Sequence, residues 1–273
     1  MIDAGAYLRR IGLDDDLGPP SVEGLFAIHR AHVERVPYET IDIQLRRPTT
    51  VDPHEAYERI MRGGRGGYCY HLNGSFSLLL GALGYDVTWH KGGVQPGTEP
   101  QPVGATGNHL ALTVGGLPAD GNPGGGWMVD AGLGNGIHEP LPLVPGRYDQ
   151  GLLGYALRPS ATEPGGWRFD QDPRLSWKGM DFRPGVATET DFADRHEWLS
   201  TDPQSPFVRW LVVQRRDATG IDSLVDRELQ RVPDGDTRVL DRAEWAEVLH
   251  DVFGIELAAD EADALWARVQ YSR

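Results

Sequence analysis

Arg65-Gly66-Gly67-Tyr68-Cys69-Tyr70-His71-Leu72-Asn73 joins a glycine-rich loop to an apolar run that continues through Phe76, Leu79 and Leu80. The spacing after Cys69 predicts a helix that ends at Gly84, a residue suited to the left-handed C-terminal position. Cys69 then sits at a helix N-terminus, where unpaired amides favour negative charge and hence a thiolate. The glycines let a ligand approach the backbone, and Arg65 supplies a nearby cation if the loop folds back. The competing reading is a small buried hydrophobe, the usual fate of a lone cysteine. Cys69 is the only cysteine of the chain, which forbids an internal disulfide and a multi-cysteine zinc site.

Outward from this stretch, residues 1–85 read as a helical domain. Ser21 is a candidate N-cap for a helix carrying Val22, Leu25, Ile28, His32 and Val33, which Pro37 ends. Asp52 caps a second helix through Ala56, Tyr57, Ile60 and Met61. Residues 86–185 change texture. Val87 to His90, His109 to Val114, Trp127 to Asp130, Tyr155 to Arg158 and Trp167 to Asp170 read as strands between Gly- and Pro-rich loops. They predict a small antiparallel sheet or barrel. Residues 186–273 read as mixed and more helical, with helix starts near Pro206 and Asp241 and a closing helix over 259–269. Three domains, or three regions of one packed body, both fit this pattern.

The chain has 273 residues, 40% of them apolar and 24% charged, enough for a sizeable core. Its 35 glycines and 20 prolines show no triplet period, so they mark turns rather than collagen. A net charge of −14 repels phosphate backbones and argues against nucleic acid as the main partner. No apolar stretch approaches a membrane span, and MIDAGAYLRR lacks a signal core. The expected compartment is the cytoplasm, with no membrane partner.

A thiolate nucleophile needs a base, and the base needs an orienter. His109 begins one strand and Asp130 ends the next, with turn chemistry between them. A symmetric hairpin places the two side chains opposite each other on one face. That arrangement is the second half of a Cys-His-Asp triad. Taken singly, a strand-end histidine is usually solvated and an aspartate before Ala-Gly usually makes a turn.

Arg65 to Asn73, the strand opening His109-Leu110-Ala111-Leu112, and Val129-Asp130-Ala131-Gly132-Leu133-Gly134 occur in that order. With them the chain resembles the arylamine N-acetyltransferases. Supporting pieces are Tyr7 to Gly12, His32 with Val36-Pro37-Tyr38-Glu39, Ser205-Pro206-Phe207 and Phe253-Gly254-Ile255, so the likeness spans nearly the whole chain. The resemblance implies an α+β fold: a helical N-terminal domain, an antiparallel β-barrel and an α/β lid around a cysteine-protease-like core. It also implies ping-pong acetyl transfer from acetyl-CoA, a co-substrate rather than a bound cofactor, to a small aromatic amine or hydrazine. By motif position, Cys69 is the nucleophile, His109 the base and Asp130 its orienter. Tyr38, Tyr70, Leu133 and Phe207 fall at or near the acceptor pocket. The chain departs from the family pattern at His71 (usually Glu), at Tyr38 and Thr40 (usually Phe and Asn) and at Leu133 (usually aromatic). The surface of the helix is the expected place for His71.

Gly132, Gly134 and Gly136 read equally as amides exposed to CoA or as turn glycines. The Cys69 amide is a candidate oxyanion donor. Rival readings keep the site and change its use: an amide synthase fed by a carrier-bound polyketide acyl chain, or a thioester or amide hydrolase. A binding protein with an inert Cys69 belongs to a different class. A homodimer is compatible with the composition. No metal site is expected, because His29 and His32 lack a third ligand and read as packing residues. Phe207 and Trp210 fit either the cleft or the core.

Overall fold

The computed structural model describes residues 2–96, 103–233 and 235–269. The helical part opens with α1 (Ala4–Arg10) and α2 (Val22–Arg35). Ser21 Oγ accepts the Gly24 N–H at 3.0 Å and starts α2 where expected. A two-residue strand, β1 (Tyr38–Glu39), and a one-turn helix, α3 (Ile41–Gln44), follow. The next helix, α4 (Pro53–Gly63), is capped by Asp52 Oδ1 on the His54 N–H at 2.8 Å, and Gly64 closes it at φ 62°.

The glycine loop then turns into α5 (Cys69–Ala82). A Cβ on Gly66 would stand 1.8 Å from the Pro37 carbonyl oxygen, so only glycine lets the two backbones meet. Gly67 at φ 142° makes the turn, and its carbonyl accepts the Glu39 N–H at 2.9 Å. Arg65 does not reach the sulfur region as a free cation. Its buried guanidinium pairs with Glu39 at 3.0 Å and Asp42 at 3.3 Å and pins the loop to the chain after Pro37.

Eight antiparallel strands follow: β2 (Asp86–Pro96), β3 (His109–Gly115), β4 (Trp127–Val129), β5 (Leu141–Pro142), β6 (Gly146–Gln150), β7 (Leu153–Pro159), β8 (Trp167–Asp170) and β9 (Trp177–Val186). Their order is β5-β4-β3-β2-β9-β8-β7-β6. The terminal strands β5 and β6 are adjacent in sequence. The three-residue link, four Cα steps from Pro142 to Gly146, reaches about 14 Å, whereas a flat sheet of this width spans more than about 30 Å. The sheet must therefore curl into a nearly closed barrel. The fold is α+β, as the sequence predicts.

Beyond the barrel lie α6 (Ala193–Thr201) and the single turn α7 (Pro206–Arg209). The region read as mixed and more helical then supplies four strands: β10 (Val212–Arg216), β11 (Ile221–Val225), β12 (Glu228–Val232) and β13 (Arg238–Val239). Their half-buried, arginine-containing sequences lack clean alternation, which hides them from period-based reading. β1 completes this second sheet by pairing Tyr38 with Gln214 and Glu39 with Val213. Two helices close the chain, α8 (Arg242–Asp251) and α9 (Ala259–Val269).

Packing crosses the regional divisions. One apolar cluster runs from Tyr7 on α1 through Phe76 on α5 to Leu112 and Val129 in the barrel. A second fills the barrel around Tyr155, Phe169 and Met180. The third packs α8 and α9 against the second sheet and takes in Ile41 from α3. Among the described residues no helix is long and apolar enough to cross a membrane.

Candidate active site

Cys69 is the first residue of α5 and is 4% exposed. Its Sγ lies 3.7 Å from the Asn108 carbonyl oxygen, on the approach to β3. The next residue, His109, shares the cavity wall with Cys69 and is near enough for the sulfur to favour its charged form. Its Nε2 meets Asp130 Oδ2 at 2.7 Å. Because Asp130 occupies Nε2, Nδ1 is the ring nitrogen left for proton exchange.

The hairpin register differs from the symmetric one. Leu112 pairs with Val129 and Val114 with Trp127, so the strands are shifted by two residues and Asp130 lies beyond the paired stretch. A shift of two preserves the face of every side chain. His109 therefore still meets Asp130, as a diagonal neighbour rather than a directly opposed one.

Asp130 is held from every direction. Its Oδ1 accepts Asn73 Nδ2 at 2.8 Å and the Gly132 N–H at 2.9 Å. Its own N–H donates to His29 Nε2 at 3.1 Å, and His29 Nδ1 donates to the His138 carbonyl at 2.9 Å. His29 is thus a neutral buried prop, and burial lowers its pKa to about 4. Burial also disfavours charge on His109, but the Asp130 carboxylate overrides it and raises His109 to about 10. The imidazolium is the favoured form at neutral pH.

Cys69 and His109 border a cavity of about 590 Å³, and Asp130 stands behind His109, away from the cavity. Tyr38, Leu133 and Phe207 line it, as does Trp210. Tyr70 does not. Its hydroxyl donates to the Gly107 carbonyl at 2.6 Å, and its ring packs on Phe192 and Tyr68, behind the cavity wall. As the residue after Cys69 on a helix it points about 100° away.

The glycines read as CoA contacts have structural tasks. Gly132 spends its amide on Asp130, and a Cβ there would lie 2.8 Å from Cys69 Cα. Gly134 turns at φ 65° against Tyr38 and Gln214. The Gly136 carbonyl accepts the Tyr155 hydroxyl at 2.9 Å. Neither Gly134 nor Gly136 lines the main cavity.

His71 is buried rather than on the helix surface. Its Nδ1 accepts the Tyr68 N–H at 3.4 Å and its Nε2 donates to the Thr50 carbonyl at 3.1 Å. Burial, with Arg59 and His196 nearby, lowers its pKa well below the usual histidine range. His71 thus acts as a neutral capping side chain for the helix that carries Cys69. Sequence reading also missed Trp177, Arg195, Trp198 and Gln214, which line the cavity from distant segments. No local motif marks them. Among the described residues no cluster of metal-binding side chains forms.

A cysteine at a helix N-terminus, beside a histidine–carboxylate pair from a barrel and opening on an apolar cavity, supplies the groups that acyl transfer through a thiol requires. The N-acetyltransferase family model matches residues 21–262, and the chain belongs to the arylamine N-acetyltransferase family. It is similar to the proansamycin X synthase of Amycolatopsis mediterranei, 33% identical over 70% of this chain and 78% of that protein. It is 30% identical to the arylamine N-acetyltransferase / N-hydroxyarylamine O-acetyltransferase of Salmonella typhimurium, over 77% of this chain and 72% of that one. Among solved structures, Mycobacterium marinum arylamine N-acetyltransferase in complex with CoA superposes with a TM-score of 0.85. The identity is 26%, covering 99% of both chains. The chain is an acyltransferase of a family that uses acetyl-CoA as co-substrate and acetylates arylamines.

Proposed function

We propose that this enzyme moves the acetyl group of acetyl-CoA to the nitrogen of an arylamine or arylhydrazine through an acetyl-Cys69 thioester. The observation that carries this reading is that Cys69 and His109 share one wall of an apolar cavity while buried Asp130 holds His109 from behind. In the first half-reaction the Cys69 thiolate attacks the thioester carbonyl, and the Cys69 N–H, the first of the helix, faces the oxyanion. The C–S bond to CoA breaks, and the His109 imidazolium protonates the departing thiolate. His109 is now neutral. In the second half-reaction the amine nitrogen attacks acetyl-Cys69 and His109 takes its proton. The C–S bond to Cys69 breaks, which returns the thiolate and the imidazolium. A weakly basic arylamine is neutral at pH 7 and attacks without prior deprotonation.

The test is intact-protein mass after mixing with acetyl-CoA and no amine. A gain of about 42 Da, absent in Cys69→Ala and discharged by an arylamine, supports the reading. Absence of the adduct together with absence of CoA release removes acetyl-CoA as donor.

The second reading is an amide synthase that takes a larger acyl chain from a carrier. Likeness to the proansamycin X synthase favours it. A Cys69 adduct formed from a long-chain carrier thioester but not from acetyl-CoA would put it first. Hydrolysis of the thioester at a rate independent of amine would support a hydrolase instead.

A further inference from the structure

We propose that Arg195 is the anchor for an anionic substituent on the acceptor, so that the preferred amines are aminobenzoate-like and carry a carboxylate. The inference deepens the proposed function and rests on it. Arg195 stands in the first turn of α6 and lines the cavity that Cys69 borders. Its guanidinium carbon sits 4.1 Å from the ring centroid of Trp198, three residues on, which also lines the cavity. The stacking fixes the plane of the guanidinium and leaves its N–H edge for a partner.

No protein partner takes that edge. Among the described residues the Arg195 side chain makes no ion pair and no hydrogen bond, and its Nε is buried and unsatisfied. The omission is specific, because this chain carries 40 carboxylate side chains and most of its arginines are paired. The two nearest in sequence, Asp194 and Glu197, face solvent and do not reach it. Among the described residues no Asp or Glu lines the cavity, and the cationic groups that line it are Arg195 and His109. The Nη groups are neither buried nor paired, and a cation that lines an apolar cavity without a protein counter-ion is completed by an anionic ligand.

The remaining walls are apolar or neutral. Trp177, Phe207 and Leu133 suit a flat aromatic ring. A ring held between them directs its amine to Cys69 and its carboxylate to the guanidinium, with charge-assisted hydrogen bonds to the Nη groups. The same guanidinium chemistry would also accept a phosphate of the donor, and the experiment separates the two sources.

The experiment compares 4-aminobenzoate with 4-aminobenzamide, whose amine is similarly weakened but whose para group is neutral, in acetyl-CoA-driven turnover. The wild-type enzyme is expected to favour the carboxylate by about tenfold or more in kcat/KM, mainly through KM. Arg195→Gln is expected to bring the ratio near one, and Arg195→Lys to restore part of it. An unchanged ratio in Arg195→Gln overturns the proposal. So does a raised KM for acetyl-CoA with the acceptor ratio intact, which assigns the guanidinium to a phosphate of the donor. Failure of the proposed function shows separately, as the absence of acetyl-Cys69 by mass. Calorimetric binding of the two acceptors to the unreacted enzyme needs no turnover, and equal affinities overturn the anchor in that case as well.

Discussion

Asn73 Nδ2 lies 2.8 Å from Asp130 Oδ1, a bond between the helix that begins with Cys69 and the segment that orients His109. Asn73 is four residues beyond Cys69 and thus on the same face of α5. Its side chain also donates to the Leu110 carbonyl at 2.7 Å and accepts the Ala131 N–H at 2.9 Å. One amide therefore ties the helix to both strand segments that carry the histidine and the aspartate.

Asn73→Ala strips these partners from a fully buried site. The expected cost is roughly 2–3 kcal/mol in denaturant unfolding, because buried polar groups lose their bonds without gaining water. Cys69 acetylation should also slow by about tenfold or more, as Asp130 no longer holds one position. Unchanged acetylation in a measurably destabilised variant would confine Asn73 to a structural role.

Asp130→Asn keeps the shape but removes the charge that holds His109 at about 10. Burial then governs the ring, and its pKa should fall below the ordinary 6.5. The CoA-release burst should drop by about 10²–10⁴-fold at pH 7. A full-rate burst from this variant would exclude Asp130 as the orienter.

Gly132→Ala places a methyl group 2.8 Å from Cys69 Cα and 2.9 Å from Asn73 Nδ2. Neither neighbour is the free end of a flexible chain, so the nucleophile or the Asp130 clamp must move. Acetylation is expected to fall by about tenfold or more, since displacements near 1 Å cost about that much or more. Thermal melting measured alongside separates this loss from unfolding.

Stability should peak near pH 6.5. His29, His32 and His71 are buried, and burial lowers the first two to about 4 and about 3 and the third well below 6.5. The unfolded chain takes up protons that the folded chain refuses, so this stability is present above 6.5 and lost as pH falls toward 4. His109 runs the opposite way. Burial opposes its charge, yet Asp130 raises it to about 10, so its contribution is full below 6.5 and lost as pH rises toward 10. Urea unfolding across pH 4–10 should show both limbs, and Asp130→Asn should flatten the alkaline one. A wild-type profile rising steadily through pH 9 would contradict the assignment for His109.

His71→Leu removes the bond from the Tyr68 N–H and the tether to the Thr50 carbonyl. A loss of roughly 1–3 kcal/mol in unfolding free energy is expected. His71→Gln, which can still accept from Tyr68, should recover part of it, and equal losses in both variants would argue against the capping role.

Local signals carried much of this molecule. Ser21 and Asp52 announced their helices because a cap is a contact within three residues. Cys69 before an apolar helical run, and His109 and Asp130 at the ends of consecutive strands, are likewise short-range patterns. Even the register slip of two left the pairing of His109 and Asp130 legible, since strand faces repeat every two residues. What depended on packing across the chain was hidden. β1 is a strand only because Val213 and Gln214, some 170 residues on, supply its hydrogen bonds. Tyr70 left the cavity and Arg195 entered it because of how α5 and α6 lie against the barrel. The unpaired guanidinium of Arg195 was equally hidden, because a missing partner becomes visible only when every neighbour in space is known.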